Sequence, residues 1–226
     1  MNLTEYFYSL PSVDRPYNKY AAYSLAFGNP YKIISGMDVY RYDKLEDYLK
    51  RFIIEQGKCI VMPNMIDKEV VGLVIRSITS KSFRYHNECQ YIPYGAGVNN
   101  KPFNKPWIIV ESALDSDFLR NFYPFVIATN GVSVSNNIMN FLKGTSSHIY
   151  CGFDSDNAGN QAFHNLCYKH SGYDKEFYIK RFYPPKSLDG GYLKDFGEIL
   201  DCLQKNNTTD YDYYILAIKG LISTIQ

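Results

Sequence analysis

At 226 residues, with 46% hydrophobic and 21% charged side chains, the chain can bury a real core as one large or two small domains, which excludes a disordered tail. A net charge of +1, from 24 basic and 23 acidic residues, excludes a global pull toward polyanions, so any nucleic-acid site has to be a local cluster. The five cysteines (59, 89, 151, 167 and 202) form no C-x-x-C or Cys/His pairing and are odd in number, which argues against a zinc module or a disulfide framework.

Reduced thiols in a cytoplasmic compartment are the expectation. The first residues lack a basic region followed by an apolar run, and no segment reaches the roughly 18 apolar residues that a bilayer span needs. Tyrosine is abundant at 22, beside 14 phenylalanines and one tryptophan, and these rings serve either packing or base stacking.

Residues 1–57 read as mostly helical. Leu45, Leu49, Phe52 and Ile53 recur at helical spacing and Gly57 is the stop. The runs Lys58–Met62 and Glu69–Ile78, joined by a turn-like Asn64–Lys68, predict a β-hairpin. Residues 82–100 are polar and aromatic with a loop at Pro93–Gly97, and Pro102 and Pro106 bracket a boundary. From Trp107 the rhythm becomes strand, helix, strand, helix. Strands are expected at 107–110, 125–128, 148–153 and 175–182. Helices are expected after Val110 to about 122, after Ser135 as cap to Gly144, and near 158–169, 195–204 and 211–224. Alternation of this kind implies a mostly parallel sheet flanked by helices, with a smaller α+β subdomain in front, and a division into residues 1–104 and 105–226.

Ligands of such sheets bind beyond the carboxyl ends of the strands. Glu111 follows the first of these apolar strands, and Asp154-Ser155-Asp156 follows the third. Asp115 lies one helical turn past Glu111, and Lys194-Asp195 forms a third acidic point. Carboxylates gathered together repel one another unless a cation joins them, and magnesium takes one or two carboxylates plus substrate phosphate. The alternative is that Asp154 and Asp156 cap the helix starting near Asn157. The small-residue turn Asn157-Ala158-Gly159 would also allow a phosphate to approach closely.

Glu111-Ser-Ala-Leu-Asp115, then Asp154-Ser-Asp156-Asn-Ala-Gly159 43 residues after Glu111, then Lys194-Asp195, resembles a Toprim domain, the domain shared by DnaG-type primases, topoisomerases and OLD-family nucleases. The upstream half is similar to the segment before Toprim in the primases: Cys59–Pro63, Asp67, Val71–Arg76, Phe83–Asn87 and Tyr94-Gly95. Thr129-Asn130-Gly131-Val132 stands where primases carry a Gly-Thr turn. The resemblance implies that Glu111, Asp154 and Asp156 are catalytic and hold Mg2+ or Mn2+, with Asp115 and Asp195 as outer or second-metal acids. Two such cations would assist in-line displacement by a 3′-hydroxyl. Glu111 is alternatively a general acid or base. Arg76, Lys81, Arg84 and Lys194 would contact nucleotide or template, with a solvated hairpin face as the alternative for the first three.

The implied function is a primase-like nucleotidyltransferase making short RNA on single-stranded DNA from ribonucleoside triphosphates. Two other readings stay open on the same residues, a Toprim metal-dependent nuclease and a non-catalytic DNA-binding replication adaptor. The chain departs from the family in having Ser112 where glycine usually follows the glutamate. No zinc-binding module or helicase domain is legible, so the expectation is a stripped catalytic core of the size a phage encodes, acting in the host cytoplasm. A replicative helicase or a separate zinc-binding start-site protein would supply the rest.

Overall fold

The computed structural model describes residues 1–13, 20, 24, 28, 30–86, 89, 91–97, 105–146, 148–170, 178–205 and 208–225. The chain divides into two compact units, Met1–Ile92 and Pro93–Gln226. Pro102, Asn87 and the start of the strand expected at Lys175 lie outside the described residues, as does much of the helical reading between residues 14 and 29.

The first unit is built on a four-stranded antiparallel sheet in the order β1-β2-β3-β4, with β1 Lys32–Ser35, β2 Lys58–Ile66, β3 Glu69–Ser77 and β4 Phe83–Tyr85. The hairpin of β2 and β3 is the one expected, and it is longer on the first arm. Its turn is Asp67-Lys68, and both residues adopt positive φ (48° and 71°), the geometry a two-residue hairpin loop requires. A bulge at Asn64/Met65 interrupts the register. Pro63 lies beyond the last residue of β2 that pairs with β1, so its missing N–H leaves no gap in that ladder.

Helix α1 (Leu3–Ser9) opens with a capping box between Asn2 and Glu5. Helix α2 (Asp47–Gln56) buries Leu49, Phe52 and Ile53 and ends at Gly57 with φ 74°. These residues join Tyr6, Phe7, Ile34, Cys59, Val61, Leu73 and Ile75 in one apolar core. The helical expectation for residues 1–57 is corrected at β1. Only four residues long, β1 is recruited by pairing with β2, and its alternating burial gives too short a pattern to read unaided.

The second unit holds a four-stranded parallel sheet in the order β6-β5-β7-β8, with β5 Trp107–Val110, β6 Val126–Ala128, β7 His148–Gly152 and β8 Tyr178–Arg181. Its helices are α3 Ala113–Arg120, α4 Asn136–Lys143, α5 Asn157–His170, α6 Gly197–Gln204 and α7 Thr208–Ser223. All four residues of β5 are fully buried, as a central parallel strand covered on both faces demands. Ser112 and Ser135 cap α3 and α4 through their hydroxyls, which accept from Asp115 N and Ile138 N. Cys151 is fully buried in β7, and burial pushes its thiol up to about 12, so it packs as a small apolar side chain. Tyr94 and Gly95 dock on this unit. The Tyr94 carbonyl accepts from Ala128 N, its hydroxyl donates to Asp117, and a Cβ at Gly95 would lie 2.5 Å from the Val126 carbonyl. Among the described residues no helix is long and apolar enough to cross a membrane.

Candidate active site

Parallel pairing puts Val110, Ala128 and Gly152 side by side, so the chain leaves β5, β6 and β7 at one sheet end. Glu111 and Asp154 emerge there together. Glu111 Oε1 accepts the backbone N–H of Asp154 at 3.0 Å. The Glu111 carbonyl is held by Gly131 N, and Thr129 N donates to the Val110 carbonyl. Asn130 and Gly131 turn with positive φ (54° and 135°) to make this possible.

Asp154 lies at the centre of the arrangement. Burial first, and then the carboxylates of Glu111 and Asp195, push its carboxyl up to about 7. Asp156 behaves differently. Its Oδ1 accepts from Gly159 N at 3.0 Å, a helix-capping bond, which together with Lys194 holds its carboxyl below the usual range. Its other oxygen, Oδ2, lies 3.2 Å from Lys194 Nζ, which also reaches Asp154 Oδ2 at 3.6 Å. Capping and contact with Lys194 are therefore both true of Asp156, one oxygen to each. Gly159 has to be glycine, since a Cβ there would lie 2.1 Å from the Asp154 carbonyl oxygen.

Asp115 is fully enclosed. Its Oδ2 accepts from the Ser112 hydroxyl at 2.6 Å, and burial beside Asp195 raises its carboxyl well above the ordinary range. Ser112, the departure from the expected glycine, thus caps α3 and steadies Asp115 at once. Asp195 Oδ1 accepts from Glu198 N at 2.9 Å, at the start of α6, while Glu198 Oε2 accepts from Lys194 N at 2.8 Å. Burial raises Glu111 as well, against the lowering effect of the Asp154 N–H.

Several carboxyls with raised pKa around one ammonium form a donor set that suits a hard divalent cation. Asp154, Asp156 and Glu111 are the residues that would hold it, once Lys194 yields. Among the described residues no three His, Cys, Asp or Glu side chains stand close enough together to hold a metal ion, and the Lys194 ammonium spans the two aspartates.

The sequence reading missed Arg181, at the end of edge strand β8 and opposite Cys151 in register. Its guanidinium donates to the Asp154 carbonyl (2.7 Å), the Cys151 carbonyl (3.3 Å) and Asn160 Oδ1 (3.3 Å). It also lies over the rings of Phe163 and Tyr183. This arginine therefore clamps the turn that carries both aspartates. No local motif marks it, since its partners come from β7 and α5.

Apart from Lys194, the basic residues expected to contact nucleotide or template belong to the first unit. Arg76 Nε donates to the Tyr20 hydroxyl at 3.1 Å. The Arg84 guanidinium donates to the Phe83 carbonyl and lies 5.2 Å over the Phe52 ring. Lys81 is exposed in the turn between β3 and β4. In register, Arg76 opposes Phe83 and Arg84 opposes Ile75, so the two arginines project from opposite faces of the sheet and form no single cluster.

Residues 108–189 match a Toprim-like family model. By sequence, no curated protein matches the chain. Among solved structures, it is similar to a DnaG catalytic core, with a TM-score of 0.59 at 15% identity, covering 95% of this chain and 77% of that one. A DnaG primase catalytic domain bound to single-stranded DNA aligns with a TM-score of 0.57 at 16% identity over 81% and 71% of the two chains. The E. coli primase catalytic core aligns with 0.54 at 14% identity over 92% and 74%. At such identities the likeness establishes the fold: a parallel sheet flanked by helices, with an antiparallel hairpin sheet ahead of it.

Proposed function

We propose, for a chain with the fold of primase catalytic cores, that it is a primase-like nucleotidyltransferase joining ribonucleotides on single-stranded DNA. The observation that carries this reading is the reach of the likeness. It extends past the Toprim-like residues 108–189 to 95% of the chain, and so takes in the N-terminal sheet. A Toprim nuclease on the same acids accounts for the second unit alone.

In this reading Asp154, Asp156 and Glu111 would hold a Mg2+ or Mn2+, which when bound would neutralise triphosphate charge and lower the pKa of the attacking hydroxyl. Asp154 and Asp156 hold that charge at the sheet end, and Glu111 fixes the Asp154 backbone while presenting its remaining oxygen. Asp115 and Asp195 supply negative charge behind them. Lys194, drawn off the aspartates, is left as an ammonium for phosphate. Arg76, Lys81 and Arg84 offer cations to template or triphosphate. A replicative helicase or a zinc-binding start-site protein would act as partner.

The test uses purified protein with magnesium or manganese, four ribonucleotides and a single-stranded template. Short RNA is expected from the wild type and none from Asp154→Ala. An absence of product from both overturns the reading, and metal-dependent strand cleavage without nucleotides replaces it with the nuclease. One observation favours a second reading, a non-catalytic DNA-binding adaptor: Ser112 stands where the family usually carries glycine after the glutamate. Salt-sensitive DNA binding with no magnesium-linked thermal shift would establish that reading instead.

A further inference from the structure

After β8 the chain folds into a tight hairpin that the acidic site does not use. Lys186 and Tyr192 bridge across it, Leu193 N donates to the Pro185 carbonyl, and Gly190 turns with φ 95°. Tyr183 and Tyr192 stack at its base with ring centroids 4.7 Å apart and planes 25° off parallel. Both rings are open to solvent, at 38% and 50% exposure. Arg181 lies 4.9 Å over Tyr183 and Lys186 Nζ lies 5.4 Å over Tyr192. Asp189, the acid of the hairpin tip, is turned onto Ser187 and Gly191 N.

Beside the stack is a pocket of about 540 Å³, between Tyr183, Lys186 and Tyr192 on one side and Ala217, Gly220 and Leu221 of α7 on the other. A Cβ at Gly220 would meet nothing within 4 Å. Packing does not demand glycine there, although glycine inside a helix costs about 1 kcal/mol relative to alanine. Its effect is a bare wall facing two aromatic rings. Two residues past Tyr192, Lys194 reaches Asp154 and Asp156, and its carbonyl accepts from Ser155 N. Two residues span at most about 7 Å of backbone.

We propose that the Tyr183–Tyr192 stack, with Lys186 and the adjoining pocket, is a base-stacking platform for single-stranded DNA beside the acidic site. Arg181 already lies over Tyr183, so the ring face offered to a base is that of Tyr192, from which the exposed Lys186 ammonium moves to follow a phosphate. Naming the strand as template rests on the primase reading, whereas the binding itself does not.

The test is fluorescence anisotropy of a labelled oligodeoxythymidylate with the full chain, in chelator and without nucleotides. Tyr192→Ala is expected to weaken binding about 5- to 100-fold, the worth of one stacked base. Tyr192→Phe keeps the ring and is expected to bind within about 2-fold of wild type, because stacking needs no hydroxyl. Lys186→Ala is expected to reduce the log–log salt slope by about 0.7, the value of one phosphate contact on a single strand. Equal binding by Tyr192→Ala and wild type, or equal losses in the Phe and Ala variants, overturns the platform. RNA synthesis surviving beside the first result leaves the primase reading standing. Loss of binding in Tyr192→Ala with no RNA from wild type leaves the platform and removes the polymerase.

Discussion

The two sheets distribute their charged residues in opposite ways. In the antiparallel sheet of the first unit, Arg76 and Arg84 sit on neighbouring strands yet face opposite sides, because their registers differ by one. In the parallel sheet of the second unit, Glu111 and Asp154 leave different strands and meet at 3.0 Å through a backbone N–H. Strands that all run one way end at one edge, so residues just past their ends converge whatever their separation in the chain. A ladder of alternating direction has no such edge. The parallel unit gathers a site, and the antiparallel unit presents surfaces.

The sharpest way to break this contrast is at the gathered acids. Asp154→Asn is expected to lower metal-dependent RNA synthesis by about 10²–10³-fold, the cost of losing one preorganised electrostatic partner. Template extension with ribonucleotides measures it, and activity within a few-fold of wild type would dissolve the idea of a single centre.

Arg181→Met tests whether convergence depends on the clamp beneath the turn. A loss of about 10–100-fold in magnesium affinity or activity is expected, as for other residues that orient ligands. A thermal-shift titration with magnesium separates this from simple unfolding. Gly159→Ala attacks the same turn from the helix side. The clash at 2.1 Å should cost about 1–3 kcal/mol or more and remove the magnesium response together. An alanine variant as stable and as metal-responsive as wild type would show that the turn is held otherwise.

The pH response sharpens the picture further. The folded-state pKa of Asp154 is raised from 3.8 to about 7, so the protonated acid favours the folded state. That contribution is complete below pH 3.8 and is lost as pH rises through about 7. Without metal, the Tm of wild type should therefore fall across this window, and Asp154→Asn should flatten the fall. Magnesium needs the carboxylate, so its apparent affinity should strengthen with rising pH over the same range. Differential scanning fluorimetry in chelator and in magnesium reads both trends.

The smallest expected effect belongs to the other sheet. Arg76→Ala and Arg84→Ala should each weaken template binding modestly, and the double variant should equal their sum within about 0.3–0.5 kcal/mol, as sites without shared partners do. Strong coupling in anisotropy titrations would mean that the two arginines act as one cluster after all.

Much of this was legible along the chain. Buried parallel strands are short unbroken apolar runs, so Trp107–Val110 and His148–Gly152 announce themselves, and the acids that follow are placed by chain order alone. Helix starts such as Ser135 are equally local, since the hydroxyl meets an N–H three residues away. The sequence alone thus determined the strand–helix rhythm, the hairpin, and the positions of Glu111, Asp154 and Asp156 at strand ends. It left open whether the aspartates cap a helix or hold a cation, and the structure shows Asp156 capping α5 with one oxygen and meeting Lys194 with the other.

Only the tertiary structure decided the rest. The strand β1 exists because β2 offers it an edge. Arg181 reaches the Asp154 carbonyl because β8 lies in register with β7, and that hydrogen bond joins residues 27 apart in the chain. The Tyr183–Tyr192 stack needs the hairpin closed. The physical reason is common to all three. Local periodicity and capping are encoded within a few residues, whereas register and neighbour choice are set by which buried faces fit together once the chain has folded.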